Sequence, residues 1–361
     1  MRAAILWDDR ALLDVRDDVA VVGLGARDVR LQVVASGICH TDLSVQNGTI
    51  PHARPCVLGH EAAGIVVEVG AGVNDVTPGD HVIVASVPMC GKCADCVAGR
   101  PNLCRSVQAP TPRHFAVAGQ HVPGVFGSGS FAEEMIVSAD AVVPVAADLP
   151  LDLACLIGCG VMTGVGAAIN SARIAPGSSV VVFGLGGVGM AAIQGARIAG
   201  AAEILAVDPQ ATKHAIARRL GASLAVTPAE LADTIRALTG GHGFDYALEC
   251  VGSGAVIRQA FDATRRGGTT VVVGVGRSDD IVPFSAYELF YSEKLLRGSM
   301  YGGANIHRDF DRLVKLWRCG KLDLDTLISR RFSLEEINAA FEVVASGEAI
   351  RCVIQLAPAG A

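Results

Sequence analysis

The stretch "VVVFGLGGVGMAAIQGARIAGAAEILAVD", Val180 to Asp208, constrains this chain more than any other. An apolar run ends in Gly184, Gly186 and Gly189 at the spacing G-x-G-x-x-G, a small-residue segment of helical character follows, and a second apolar run closes on Asp208. Each glycine has a physical task. The first permits a tight strand-to-helix turn, the second lets backbone N–H groups come close to a pyrophosphate, and the third lets helix pack closely on strand, with the helix N-terminus adding positive potential. Gly187 and Val188 complete the turn. Asp208 ends the next strand, where a carboxylate accepts hydrogen bonds from ribose hydroxyls and repels a 2′-phosphate; Pro209 and Gln210 offer no arginine to receive one. The stretch therefore predicts a dinucleotide site that takes NAD rather than NADP. Lys213, just beyond, reads either as a solvated surface lysine or as a ribose contact.

The same alternation continues on both sides of the turn. "SSVVVFG", "EILAVD", "FDYALEC" and "TTVVVGVG" alternate with helical segments at about 188–200, 211–221 and 254–266, the pattern of a doubly wound parallel sheet. Upstream, between Val29 and Val87, "VRLQVVASG", "AAGIVVEVGAG" and "DHVIVAS" are short β-rich runs separated by turn signals such as "TPGD". Residues 105–130 read as a polar Pro/Gly-rich loop, and the chain ends helix-then-strand in "FSLEEINAAFEVVASGEAIRCVIQL". At 361 residues, with 42 glycines and 51% hydrophobic residues, the chain predicts an α/β protein of two domains.

Charge and hydropathy narrow the partners. The net charge of −6 comes without a basic run, which excludes a nucleic-acid-binding surface and favours a small-molecule substrate. The N-terminal apolar run in "MRAAILWDDR" is too short for a signal-peptide core, and no stretch reaches the ~20 apolar residues that span a membrane, so a cytoplasmic, membrane-free protein is expected.

Eleven cysteines in a chain of this size point to metal rather than disulfides. "CGKCADCVAGRPNLC" sets Cys90, Cys93, Cys96 and Cys104 at the spacing of a closed tetrahedral zinc site. A four-cysteine iron–sulfur cluster is the chemical competitor, but nothing nearby suggests an electron-transfer partner. A catalytic zinc instead keeps one position open and takes three protein ligands. Cys39 in "GICHTDL", His60 in "VLGHEAAGIV" and Cys159 in "LIGCGVMTG" are candidates, but spacing alone does not select them as a set.

Taken in order, Cys39-His40-Thr41-Asp42, Gly59-His60-Glu61, the Cys90–Cys104 lobe, "IGCGVMTG", "GLGGVG" and Asp208 resemble the zinc-dependent medium-chain alcohol dehydrogenases over essentially the whole chain. The resemblance implies a GroES-like, mostly β catalytic domain (1–160 and 301–361) carrying a structural zinc lobe at about 88–106. A Rossmann NAD-binding domain (161–300) would be inserted in it, with the active site in the interdomain cleft. It implies two zinc ions per chain, a catalytic one at Cys39, His60 and Cys159 with Glu61 behind the metal, and a structural one in the lobe. Asp42 would fix the His60 tautomer and Thr41 would take the alcohol proton. The relay histidine of many animal members is replaced by Ser44, so His40, water or another group would finish the relay. His40 and Arg351 match pyrophosphate contacts, and Thr163 and Val275 further cofactor contacts.

The resemblance also bears on substrate and assembly. Ser86 stands where many relatives carry an aromatic wall residue, and Ile50 and Val125 match apolar lining positions. Ile50 and Gln108 occupy the places where the glutathione-dependent formaldehyde dehydrogenases of the family carry charged anchors, which favours a primary or aromatic alcohol over a thiol adduct. A polyol dehydrogenase would commonly replace Cys159, and a non-enzymatic relative would have lost the metal ligands and Thr41, all present here. The long segment between Cys104 and Cys159 resembles the dimeric branch, with a tetramer as the alternative.

Overall fold

The computed structural model describes residues 1–356. Chain contacts divide it into two compact units: Met1–Gly160 with Asn305–Lys315 and the chain from Ile328 on, and Val161–Ala304 with Leu316–Leu327. The second unit thus takes residues 301–304 and the segment 316–327, which the sequence reading assigns to the first together with the rest of 301–361. Leu322, Leu324 and Leu327 in this segment are buried, and Gln194 holds Asp323 through both its amide atoms, at 3.0 and 2.7 Å. That apolar anchorage carries no helical or strand period long enough to be read from sequence.

The first unit is built on a seven-stranded sheet in the order Val142–Val145, His81–Val84, Glu61–Val69, Asp28–Ile38, Arg351–Gln355, Ile328–Ser333, with Glu134–Ser138 also pairing with Asp28–Ile38. Alternate residues of Asp28–Ile38, including Val29, Leu31 and Val33, pack into one core cluster, as a half-buried strand requires. The strand Arg351–Gln355, from the far end of the chain, lies antiparallel to Asp28–Ile38 with Cys352 opposite Ile38. Both chain ends therefore build one sheet. Residues 105–130 are not a plain loop: Phe115–Val117 and Gln120–Val122 pair as a hairpin, and Phe115, Val117 and Val122 are buried. Three apolar positions in two three-residue strands are too few to stand out against the surrounding polar and glycine residues.

The second unit carries a six-stranded, wholly parallel sheet in the order Leu224–Val226, Glu203–Val207, Ser179–Phe183, Phe244–Glu249, Thr264–Val272, Leu295–Gly298. Numbered along the chain, this is 3-2-1-4-5-6, which reverses direction beside the first strand, and ligands bind such sheets at the carboxyl ends of strands flanking the reversal. The glycine-rich turn leaves that first strand. The inner strands Ser179–Phe183 and Glu203–Val207 are buried on both faces, consistent with their unbroken apolar runs, whereas the edge strand Leu295–Gly298 is exposed. The helix expected over 254–266 ends at Ala263, because Thr264 already pairs with Phe244. No single helix among the described residues is long and apolar enough to cross a membrane.

Candidate metal centres and nucleotide turn

Cys39, His60, Glu61 and Cys159 come from three separated segments of the first unit, and one ligand atom of each lies within 4.8 Å of the others. Cys39 ends the run that follows the Asp28–Ile38 strand and caps the helix His40–Gln46. Asp42, in the first turn of that helix and wholly buried, organises the site. Its Oδ2 accepts the Cys39 N–H at 3.0 Å, while its Oδ1 accepts the Gly59 N–H at 3.1 Å and faces His60 Nδ1 at 3.2 Å. With Nδ1–H donating to the carboxylate, the ring offers its Nε2 lone pair to a metal.

Glu61 reaches the cluster because Gly37 lies opposite it in the neighbouring strand; a Cβ at Gly37 would come within 2.3 Å of Glu61 Oε2. Arg351 approaches from the C-terminal strand, its Nη2 3.3 Å from Glu61 Oε1 and its Nη1 donating to the Ile38 carbonyl at 3.2 Å. Gly160 makes room for it, since a Cβ there would meet Nη2 at 2.0 Å. Burial pushes the Glu61 carboxyl up to about 7 against the pull of Arg351. A hydrogen bond from Cys159 draws the Cys39 thiol well below its ordinary value, against burial, and the same contact and burial push Cys159 up. Neither Glu61 oxygen has a hydrogen-bond partner although both are buried. Two thiols, an imidazole and an unsatisfied carboxylate fit a divalent cation of the zinc type, which takes mixed S and N donors.

The lobe forms a second, separate cluster, with one sulfur each of Cys90, Cys93, Cys96 and Cys104 within 4.8 Å of the others. Cys93 caps the short helix Ala94–Val97, and Cys104 Sγ accepts the Cys90 N–H at 3.4 Å and lies 2.9 Å from Ser106 Oγ. Asp95 ties the lobe's two ends by accepting from Arg100 and Arg105 at 2.9 and 3.2 Å. The Arg105 backbone N–H lowers the Cys93 thiol to about 6, whereas desolvation raises Cys96 to about 12. None of the eleven cysteines is in a disulfide. Four thiols without a competing carboxylate fit a closed tetrahedral zinc site.

In the second unit Gly184 adopts φ +86°, and a Cβ on Gly189 would fall 1.7 Å from the Gly184 carbonyl oxygen. A Cβ on Gly186 would meet nothing, so space stands open above the N-terminus of the helix Gly187–Ile198. Asp208 accepts the Leu185 and Gln210 N–H groups at 2.7 and 2.8 Å, one on each oxygen, leaving each a further lone pair for a hydroxyl. The open cradle and the oriented acid fit a dinucleotide. Lys213 is 6% exposed, so it is not the solvated surface lysine that was one of its two sequence readings.

Other sequence-named residues fall differently. His40 is exposed on the first turn of its helix, Thr41 Oγ1 is 3.5 Å from Cys39 Sγ, and Ser44 is half-buried one turn on. Ser86 is half-buried, Ile50 packs on a core cluster, Gln108 and Val275 are exposed, and Thr163 is half-buried. Val125 is wholly buried in the core, so it is not a free lining residue. Two features were not anticipated. One is the Glu61–Arg351 pair, and the other is Phe126, whose ring stands edge-on to that of His60 at 5.6 Å.

Two compact units, one with two cysteine-rich clusters that fit a metal and one with a glycine-rich turn on a parallel sheet, fit a zinc-binding dehydrogenase. Family models agree, one described as an alcohol dehydrogenase GroES-like domain matching residues 25–147 and one as a zinc-binding dehydrogenase matching 187–318. The class-3 alcohol dehydrogenase of Pisum sativum is 36% identical over 98% of this chain and 97% of its own length. The S-(hydroxymethyl)glutathione dehydrogenase of Paracoccus denitrificans is 35% identical over 98% and 99%. The solved benzyl alcohol dehydrogenase of Acinetobacter calcoaceticus superposes with a TM-score of 0.92 at 31% identity, covering 99% of both chains. The chain belongs to the zinc-dependent medium-chain alcohol dehydrogenase family.

Proposed function

We propose that the chain is a cytoplasmic NAD-dependent alcohol dehydrogenase that interconverts a primary or aromatic alcohol and its aldehyde, holds two zinc ions and works as a homodimer, with a tetramer the alternative. The observation that carries the reading is the convergence of Cys39, His60 and Cys159 within 4.8 Å under the orientation imposed by Asp42. When bound, zinc at these residues supplies Lewis acidity toward the alcohol oxygen, and NAD at the glycine turn supplies the hydride acceptor. Thr41 Oγ1, 3.5 Å from Cys39 Sγ, holds the proton released by the alcohol. With Ser44 in place of a relay histidine, the exposed His40 on the same helix, water or another group carries that proton on. Asp208 orients the adenosine ribose, the N–H groups at Gly186–Gly189 receive the pyrophosphate, and Lys213, Thr163, Val275, His40 and Arg351 complete the cofactor contacts.

The resemblance to a benzyl alcohol dehydrogenase supports an aromatic alcohol. The relationship to an S-(hydroxymethyl)glutathione dehydrogenase favours a second reading, a thiol-adduct oxidation, against which stand the uncharged Ile50 and Gln108. A panel of benzyl alcohol, long-chain alcohols and S-hydroxymethylglutathione, run with NAD and NADP on protein of measured zinc content, decides between them. Faster turnover of benzyl alcohol with NAD is expected; preference for the thiol adduct rejects the reading. Cys93→Ser is expected to release the lobe's zinc and lower the thermal midpoint by several degrees, with the kcat of the surviving folded protein within about twofold of the parent. Metal analysis, thermal unfolding and turnover on one preparation check this, and a folded variant that lost only turnover would refute it.

A further inference from the structure

Phe126 stands in a backbone conformation that a bulky side chain rarely adopts, φ 51° and ψ 28°. Its surroundings impose it. The loop "GVFGSG" is bracketed by Gly124, Gly127 and Gly129, and a Cβ at Gly124 would come within 2.3 Å of the Ser128 carbonyl oxygen. The Gly129 and Ser130 N–H groups both donate to the Gly59 carbonyl, at 3.1 and 3.0 Å, and Phe131 N–H donates to that of Leu58 at 3.0 Å. Ser130 Oγ is also 2.6 Å from Ser36 Oγ in the buried sheet. The loop is thereby fastened to the two residues that precede His60.

What this fastening presents is one aromatic ring. Phe126 is 40% exposed, an uncovered apolar side chain, yet its ring meets the His60 ring at 5.6 Å and 79°. His52 crosses the same ring at 6.4 Å and 86°. Burial of its own surface does not account for a strained phenylalanine left two-fifths open. Its contact with His60 does. Asp42 and Cys39 hold the imidazole through its edge atoms, and such contacts leave the ring plane free to tilt. The Phe126 ring, set by its fastened loop, blocks the tilt.

We propose that Phe126 is a positioning residue that locks the His60 imidazole plane and shields it from water, slowing loss of the metal held by Cys39, His60 and Cys159. This rests on the assignment of those three residues to a metal. Residues that orient a ligand from outside the metal's own shell commonly change metal affinity by about 10- to 100-fold when removed. Strain retained at a functional site is a recurring arrangement, and the strain here serves a ligand rather than the core.

The test uses the zinc-loaded full chain, a chelator and a chromogenic zinc indicator. Cys39→Ser and Cys93→Ser, each lacking one zinc, assign the two release phases of the parent. Phe126→Gly accepts the left-handed backbone without steric cost and removes the ring, and Phe126→Tyr keeps the ring. Phe126→Gly is expected to speed the phase missing from Cys39→Ser by about tenfold or more, to leave the lobe phase unchanged, and to shift the visible bands of the cobalt-substituted site. Phe126→Tyr is expected to match the parent in all three. Unchanged release and an unchanged cobalt spectrum in Phe126→Gly overturn the proposal. So does equal acceleration of both phases, or a Phe126→Tyr that behaves like Phe126→Gly, because either marks general loosening of the loop. If Cys39→Ser keeps its full zinc content, the metal assignment fails and the proposal fails with it.

Discussion

Asp42→Ala is expected to lower the zinc affinity of the His60 centre by about 10- to 100-fold and to destabilise the fold by roughly 3 kcal/mol or more. The side chain is wholly buried and serves three partners, the Cys39 and Gly59 N–H groups and His60 Nδ1. Truncation leaves two buried N–H donors and an imidazole N–H unsatisfied, and each such group costs about 1–3 kcal/mol. Asp42→Asn is the milder variant. With its amide oxygen in the Oδ1 place it still accepts from the Gly59 N–H and His60 Nδ1–H, while its NH₂ opposes the Cys39 N–H and the negative charge beside the imidazole is lost. Asn should therefore recover part of the stability and part of the zinc affinity. Competitive chelator titration gives the first quantity and urea unfolding the second; a variant with full zinc affinity would show that Asp42 is only a helix cap.

How far the sequence foretold this arrangement depends on how local each signal is. The glycine turn, Asp208 and the cysteine lobe are legible because their spacing falls within one supersecondary unit, and spacing is what turn geometry and ligand geometry act on. Cys39, His60 and Cys159 are spread over about 120 residues, and only the order of motifs gathers them. The hairpin at 115–122 was hidden because three-residue strands carry too little periodicity. The burial of Lys213 depends on what packs over it, which no local pattern encodes. Phe126 had a faint signal in the glycines at 124, 127 and 129, which mark a loop of unusual backbone, but nothing in them points to His60. The Glu61–Arg351 pair is the extreme case, since 290 residues separate its members and the register Cys352 opposite Ile38 alone brings them together.

That pair yields the second large effect. Arg351→Ala is expected to destabilise the fold by about 3–5 kcal/mol, because it leaves the Glu61 carboxylate buried without its cation. Glu61→Gln in the same chain removes the stranded charge, so the double variant should recover most of the loss. Strong coupling of this kind is what groups in direct contact show in a double-mutant cycle. The cycle also divides the two tasks proposed for Arg351. If its guanidinium serves Glu61 alone, the double variant restores NAD affinity together with stability. If it also holds the cofactor pyrophosphate, stability returns while the NAD dissociation constant stays raised, since no substitution at Glu61 replaces a cation. Urea unfolding of the four proteins and NAD titration of the two that are stable measure both terms. A single Arg351→Ala variant costing under about 1 kcal/mol would mean that Glu61 gains its stability elsewhere, and the arginine would then be left to the cofactor.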